Sequence, residues 1–329
     1  MHATEDTATT TPRAGARTGP RPADGGGRPR GGLRRPQRSE RPGIVWIVPA
    51  LLFFGLFGLG PVLGVVYLSF TEWRGLGEPT WVGLENWAEM ASDDGVTNGL
   101  KLTLVLTALC WATQTPMALL FGVWAAGPQR IRAVVSAVYF LPLLLSGAAI
   151  ALLWLSLLDP NFGLAADIGP FVGVPDGNFV GDSSLALYVI VLVTLWQWLP
   201  FHMLLYQSAA RQIPRSLYEA SEIDGAGRLH QFLFITIPQL RHTIIASSVL
   251  MIVGAMTYFE TVFLITGGGP GVSTRILPLV MYFEGFRAFD MGYASAIAVL
   301  LVVLGFSMAM VTVWLSGYSR MRSQREGAQ

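Results

Sequence analysis

The chain has a single lysine, Lys101, and no Gly-rich loop ending in Gly-Lys-Ser or Gly-Lys-Thr, so it lacks the phosphate cradle of nucleotide-hydrolysing proteins. Its one cysteine, Cys110, excludes an internal disulfide and a cysteine-based metal site. The four histidines, His2, His202, His230 and His242, are scattered without ligand spacing, and no metal site is expected. Charge is scarce too, at 13% of residues, and the apolar segments contain no paired acids or histidine cluster of the kind a membrane-embedded enzyme would need. What remains is apolar: 52% of the chain is hydrophobic and the mean hydropathy is +0.49. That balance, with the charges clustered rather than spread, marks a membrane protein.

Six segments free or nearly free of charge, at 44–70, 102–126, 133–158, 184–210, 243–265 and 291–316, each supply the roughly 20 residues that a bilayer core requires. The expected fold is therefore all-α and polytopic, with six transmembrane helices in a permease domain over 43–318. The segment 276–286 is short and contains Pro278 and Glu284, and reads as an interfacial helix rather than a seventh span. Tyr67, Trp73, Trp81, Trp87 and Tyr318 read as anchors at the membrane–water boundary.

Arginine sets the expected orientation, because basic flanks are retained in the cytoplasm. With the N-terminus inside, 18 of the 22 basic residues face the cytoplasm: nine before the first span, then Arg130, Arg132, Arg211, Arg215, Arg228, Arg241, Arg320, Arg322 and Arg325. The loop 159–182, on the other side, has none. Both termini and the loop 211–241 are thus expected in the cytoplasm of a bacterial cell. Residues 1–42, rich in Arg, Pro, Gly and Thr, cannot bury enough apolar surface to offset ordering entropy. They read as a disordered basic tail that fixes topology, not as a nucleic-acid-binding arm, and 319–329 read as a short second tail.

A charged island interrupts this apolar chain between the fourth and fifth segments. Ser216 and Glu219 have capping-box spacing, so a short helix is expected to start there, and Gly225 is suited to end it. Leu229, Phe232, Leu233 and Ile237 then recur at about helical spacing, which predicts a second short amphipathic helix at the membrane surface, ending at Pro238. Glu219, Glu222 and Asp224 beside Arg215 and Arg228 offer charge-assisted pairing to a partner, with Leu217, Tyr218 and Phe232 as an apolar anchor.

The runs Glu219-Ala220-Ser221, Asp224-Gly225-Ala226 and Ile235-Thr236-Ile237-Pro238 resemble the cytoplasmic "EAA" loop of ABC-importer permeases. Thr266-Gly267-Gly268-Gly269-Pro270 resembles an element of the carbohydrate-uptake branch, in particular of its first permease subunit, and Gly292-Tyr293-Ala294-Ser295-Ala296 resembles the family's last-helix pattern. Ser221 departs from the usual alanine. The resemblance covers about residues 44–317 and implies a transport subunit, not an enzyme. It also implies that the loop, through Tyr218, Glu219, Ala220, Ser221, Asp224, Gly225, Ala226, Phe232 and Pro238, forms a coupling helix seated on a separate ATPase dimer. That partner would bind the ATP and Mg; the chain itself needs no cofactor. The other implied partners are a second homologous permease and an extracytoplasmic solute-binding protein, besides membrane lipid. A permease for peptides, amino acids or ions is the alternative.

Thr194, Gln197, Trp198 and Phe201 stand at i, i+3, i+4 and i+7 of the fourth span, beside Pro200, and Thr257, Tyr258 and Glu260 add polar atoms to the fifth. An aromatic face next to amide and hydroxyl groups suits a sugar, whose C–H face covers the ring while polar groups read its hydroxyls. The same stripe also suits helix packing. Gly267, Gly268, Gly269 and Pro270 read as a backbone device for a tight turn at the end of the fifth span.

Overall fold

The computed structural model describes residues 47–316. Both tails, at 1–42 and 319–329, and Tyr318 lie outside the described residues. Among the described residues, five helices are long and apolar enough to cross a membrane. They are α1 (Val48–Leu68), α3 (Asp94–Ala125), α7 (Ala186–Ala210), α9 (Arg228–Ala255) and α12 (Met291–Leu315). Between α1 and α3 stand a two-residue antiparallel ribbon, Thr71–Glu72 (β1) with Thr80–Trp81 (β2), and the short helix α2 (Glu85–Ser92).

The expected span at 133–158 is not one straight helix. It consists of α4 (Arg130–Tyr139), a 3-10 turn at Leu141–Leu144 and α5 (Gly147–Leu157), bent by 100°. Pro142 tightens the chain at the bend, and the Ser146 side chain then accepts a bond from the Ala149 amide at 3.2 Å, starting a new helix in a new direction. The bent pair makes a sixth crossing if it counts as one span, and the short helix α6 (Leu164–Ile168) follows it.

A second correction concerns Pro238. The helix expected to end there continues to Ala255, because a π turn at Phe232–Thr236 lies just before the proline and opens the backbone ladder where the missing N–H and the ring would otherwise collide with it. The expected fifth span at 243–265 is in turn broken after Ala255. Thr257 Oγ1 bonds back to the Gly254 carbonyl at 2.9 Å, and the chain restarts as α10 (Phe259–Ile265).

The core forms where α3 lies along α7. Leu106 and Cys110 from α3 pack with Ile190 and Val191 from α7, and with Ala255, Tyr258, Val262, Ile276 and Leu279. A Cβ on Gly122 would lie 2.7 Å from the Met203 carbonyl oxygen and from Tyr206 Cβ, so only glycine permits this approach. Gln207 Nε2 donates to the Ala125 carbonyl at 2.9 Å across the same seam.

The segment 276–286 is a short helical segment and not a seventh span, as expected, but its first half is buried in the bundle. It forms α11 (Leu277–Tyr282) and a π turn at Phe283–Arg287, and Leu277, Leu279 and Val280 are buried. Two residues of α3 make its seat. Gly99 lets the backbone of Leu277 approach, and the Thr103 hydroxyl accepts the Leu277 amide at 2.8 Å. At the start of α12, Gly292 is pressed against the Thr71 carbonyl, and the Tyr293 hydroxyl donates to Asp93 at 2.7 Å. The outer faces of α1 and α12, including Phe54, Phe57, Val303, Phe306 and Trp314, are exposed, as lipid-facing helices require.

Candidate functional site

The charged island forms a compact pair of elements. Helix α8 (Arg215–Ile223) begins one residue before Ser216, after Pro214, with no side-chain cap, so the expected capping box is not formed. Its end is as the composition demands: Gly225 takes φ +77°, and the Gly225 and Ala226 amides close on the Glu222 and Ser221 carbonyls at 3.0 and 2.9 Å. The chain turns and enters α9 at Arg228.

Side chains tie the two helices. The Tyr218 hydroxyl lies 2.9 Å from Thr236 Oγ1, and Gln231 Nε2 donates to Ser221 Oγ at 3.0 Å. Ser221 is therefore more than a small residue in the place of alanine, since its hydroxyl bridges α8 to α9. Tyr218 and Phe232, read from the sequence as an outward anchor, turn inward, and Phe232 packs on the cluster around Leu119, Tyr206 and Leu240. Leu217 stays outward, and Ile223 and Leu229, 87% and 72% exposed, are the most exposed apolar residues of the loop. Glu219, Ala220, Glu222 and Asp224 are exposed around them. Among the described residues the one ion pair is Arg74–Glu72, so Glu219, Glu222 and Asp224 form none with Arg215 and Arg228. The three acids, Arg215 and Arg228 keep their charge available to a partner. Pro238 is exposed and sits in the first turn after the π turn.

A second site lies deeper in the bundle. Gln197, Trp198 and Phe201 of α7 converge with Thr257, Tyr258 and Glu260 of the broken fifth span on one cavity of about 300 Å³. Helix α9 contributes Leu250, Met251 and Gly254 to its wall, and α5 contributes Gly147. The rings of Trp198 and Tyr258 are nearly parallel, with centroids 6.5 Å apart. The break after Ala255 is what turns Tyr258 and Glu260 toward α7. The Glu260 carboxylate then packs directly on Gly147, the first residue of α5, where a side chain would collide with it.

Thr194, grouped with these residues by spacing, does not line the cavity. It is fully buried, bonded to the Ile190 carbonyl at 2.8 Å and set against Cys110 at 3.6 Å, because it stands where α3 and α7 are in closest contact. His202, set aside as a lone histidine, does line it. Its Nδ1 is 2.8 Å from Ser247 Oγ on α9, and the ring is 3% exposed. The available signal was its place one turn after Trp198. Gln197 is 7% exposed, and its Oε1 makes no hydrogen bond among the described residues.

The glycine-rich turn stands after α10. Gly267 and Gly268 adopt φ +59° and +94°, and Gly269–Pro270 is cis. Thr274 Oγ1 braces the turn by donating to the Gly269 carbonyl at 2.8 Å and lies 2.7 Å from Thr266 Oγ1. None of the four residues 267–270 lines the cavity.

Comparison with known proteins agrees with this architecture. The chain is 32% identical over 278 residues to a probable ABC transporter permease protein of Pyrococcus horikoshii, covering 82% of this chain and 92% of the relative. It is 28% identical over 284 residues to the trehalose/maltose transport system permease protein of Thermococcus litoralis, covering 86% and 96%. In fold it is similar to a chain of a bacterial alginate ABC transporter solved with an alginate pentasaccharide-bound periplasmic protein, with TM-score 0.73, 19% identity and coverage of 83% and 92%. The family model described as "Binding-protein-dependent transport system inner membrane component" matches residues 118–318. That match takes in the two-helix loop, the cavity and the glycine-rich turn, and the chain belongs to this family of inner-membrane transport components.

Proposed function

We propose that this chain is one permease subunit of an ATP-driven importer for a carbohydrate or sugar-like solute, with the cavity between α7 and the broken fifth span as part of the translocation path. The observation that carries the reading is the convergence of Gln197, Trp198, Phe201, Thr257, Tyr258 and Glu260 on one space. An aromatic wall with amide, hydroxyl and carboxylate groups suits a polyhydroxylated ring. The sugar-transport relative supports the same class.

The α8–α9 loop is the docking element for an ATPase dimer that supplies ATP and Mg chemistry. Its acids and the apolar pair Ile223 and Leu229 point outward, while Tyr218, Ser221 and Gln231 fasten it to α9. A push on α8 is thereby transmitted to a span that lines the cavity, which lets an ATPase select between two packings of the bundle. A second homologous permease completes the path, and an extracytoplasmic binding protein delivers solute. Both termini and this loop face the cytoplasm, by the arginine distribution.

The test is co-purification from native membranes in mild detergent, with partners identified by mass spectrometry and solute-stimulated ATPase activity measured on the complex. Recovery of a second permease and an ATPase supports the reading, and Glu219→Ala or Gly225→Pro should then uncouple hydrolysis from uptake. Recovery of this chain alone, even after crosslinking through the Glu219 loop, would overturn it.

A further inference from the structure

Twelve residues line the α7–α10 cavity, and none is lysine or arginine; the one acidic side chain is Glu260. Its other polar groups are Gln197, His202, Thr257, Tyr258 and Thr261. Thr257 Oγ1 is engaged with the Gly254 carbonyl and His202 Nδ1 with Ser247. A pocket that received a uronic acid or a sugar phosphate would need a guanidinium or ammonium to replace the water lost by the anion, because an unpaired buried charge is costly. Here the arriving anion meets the Glu260 carboxylate at the open side of the cavity, and like charges at contact distance beside a protein wall repel more than in bulk water. The same carboxylate accepts hydroxyl donors well, and a pair of adjacent sugar hydroxyls can occupy its two oxygens. Gln197 Oε1, buried beside the cavity and unmatched by any described donor, is a second acceptor.

We infer that this cavity is selective by charge: it takes neutral saccharides and rejects anionic ones, with Glu260 as the specificity-determining residue. The inference rests on the proposed passage of a saccharide through this cavity. Gly147 is part of the device, since its missing side chain lets the carboxylate reach the cavity wall at the start of α5.

The test uses the assembled importer and a thiol introduced by Thr257→Cys, a cavity-lining position that is exposed, whereas the native Cys110 is buried. Labelling of that thiol by a small maleimide is followed with and without a neutral glucose trisaccharide or a galacturonic acid trisaccharide at matched concentration. The expected result is protection by the neutral trisaccharide at a concentration at least tenfold below that needed by the uronate. Adding Glu260→Gln should close most of that gap by improving protection by the uronate. Equal protection by both sugars before and after Glu260→Gln would overturn charge selection while leaving the saccharide path standing. No protection by either sugar, with either residue, would overturn the saccharide path itself.

Discussion

The Tyr218 hydroxyl of α8 lies 2.9 Å from the Thr236 hydroxyl in the π turn at the base of α9. One hydrogen bond thus joins the surface helix to the helix that carries Met251 and Gly254 to the cavity wall. Tyr218→Phe keeps the ring packing and deletes only this bond, at a stability cost of about 1 kcal/mol. Severalfold less solute moved per ATP is expected in reconstituted vesicles, with the assembled complex still recovered. Unchanged coupling in Tyr218→Phe would mean that force passes through backbone and apolar packing alone.

Thr103 offers a second, structural prediction. Its hydroxyl accepts the Leu277 amide in a fully buried seat, so Thr103→Val leaves an N–H without a partner away from water. The expected cost is about 1–3 kcal/mol, and Thr103→Ser should recover most of it. Thermal unfolding of the purified protein in detergent, followed by tryptophan fluorescence, measures both. Gly122→Leu should be worse than either. Its Cβ alone would already be 2.7 Å from the Met203 carbonyl oxygen, and the α3–α7 seam has no room to yield.

Glu284 gives a pH dependence. Partial burial, and then the carboxylates of Asp93, Asp290 and Glu89, raise its pKa above the ordinary carboxylate value. The folded chain therefore holds this proton more tightly than the unfolded chain. Stability is greatest below the unfolded pKa and falls as pH rises through the raised value. The effect is small, below about 1 kcal/mol, because the group is only partly buried and its charge is still screened by solvent. Glu284→Gln should flatten this part of the stability–pH curve and leave the protein slightly more stable at neutral pH. A steeper loss of stability with rising pH in Glu284→Gln would contradict the sign.

Much of the protein was legible in the order of its residues, because the bilayer imposes local demands. Apolar length marks a span: four of the six expected segments are each one continuous helix, and the loop is helical as expected. Gly225 after Glu222-Ile223-Asp224 announced the end of α8, since a positive φ is a local requirement. The grouping of Gln197, Trp198 and Phe201 followed from helical period alone.

Three-dimensional packing decided the rest. Hydropathy could not reveal the 100° bend between α4 and α5 or the break after Ala255, because a bent pair and a straight span have the same composition. The burial of 276–280 depends on Gly99 and Thr103, far away in the chain, which prepare a seat no local pattern encodes. Thr194 and His202 exchanged roles for the same reason. Periodicity fixes which residues share a helical face, but only the neighbouring helices determine which part of that face meets a core and which meets an open cavity.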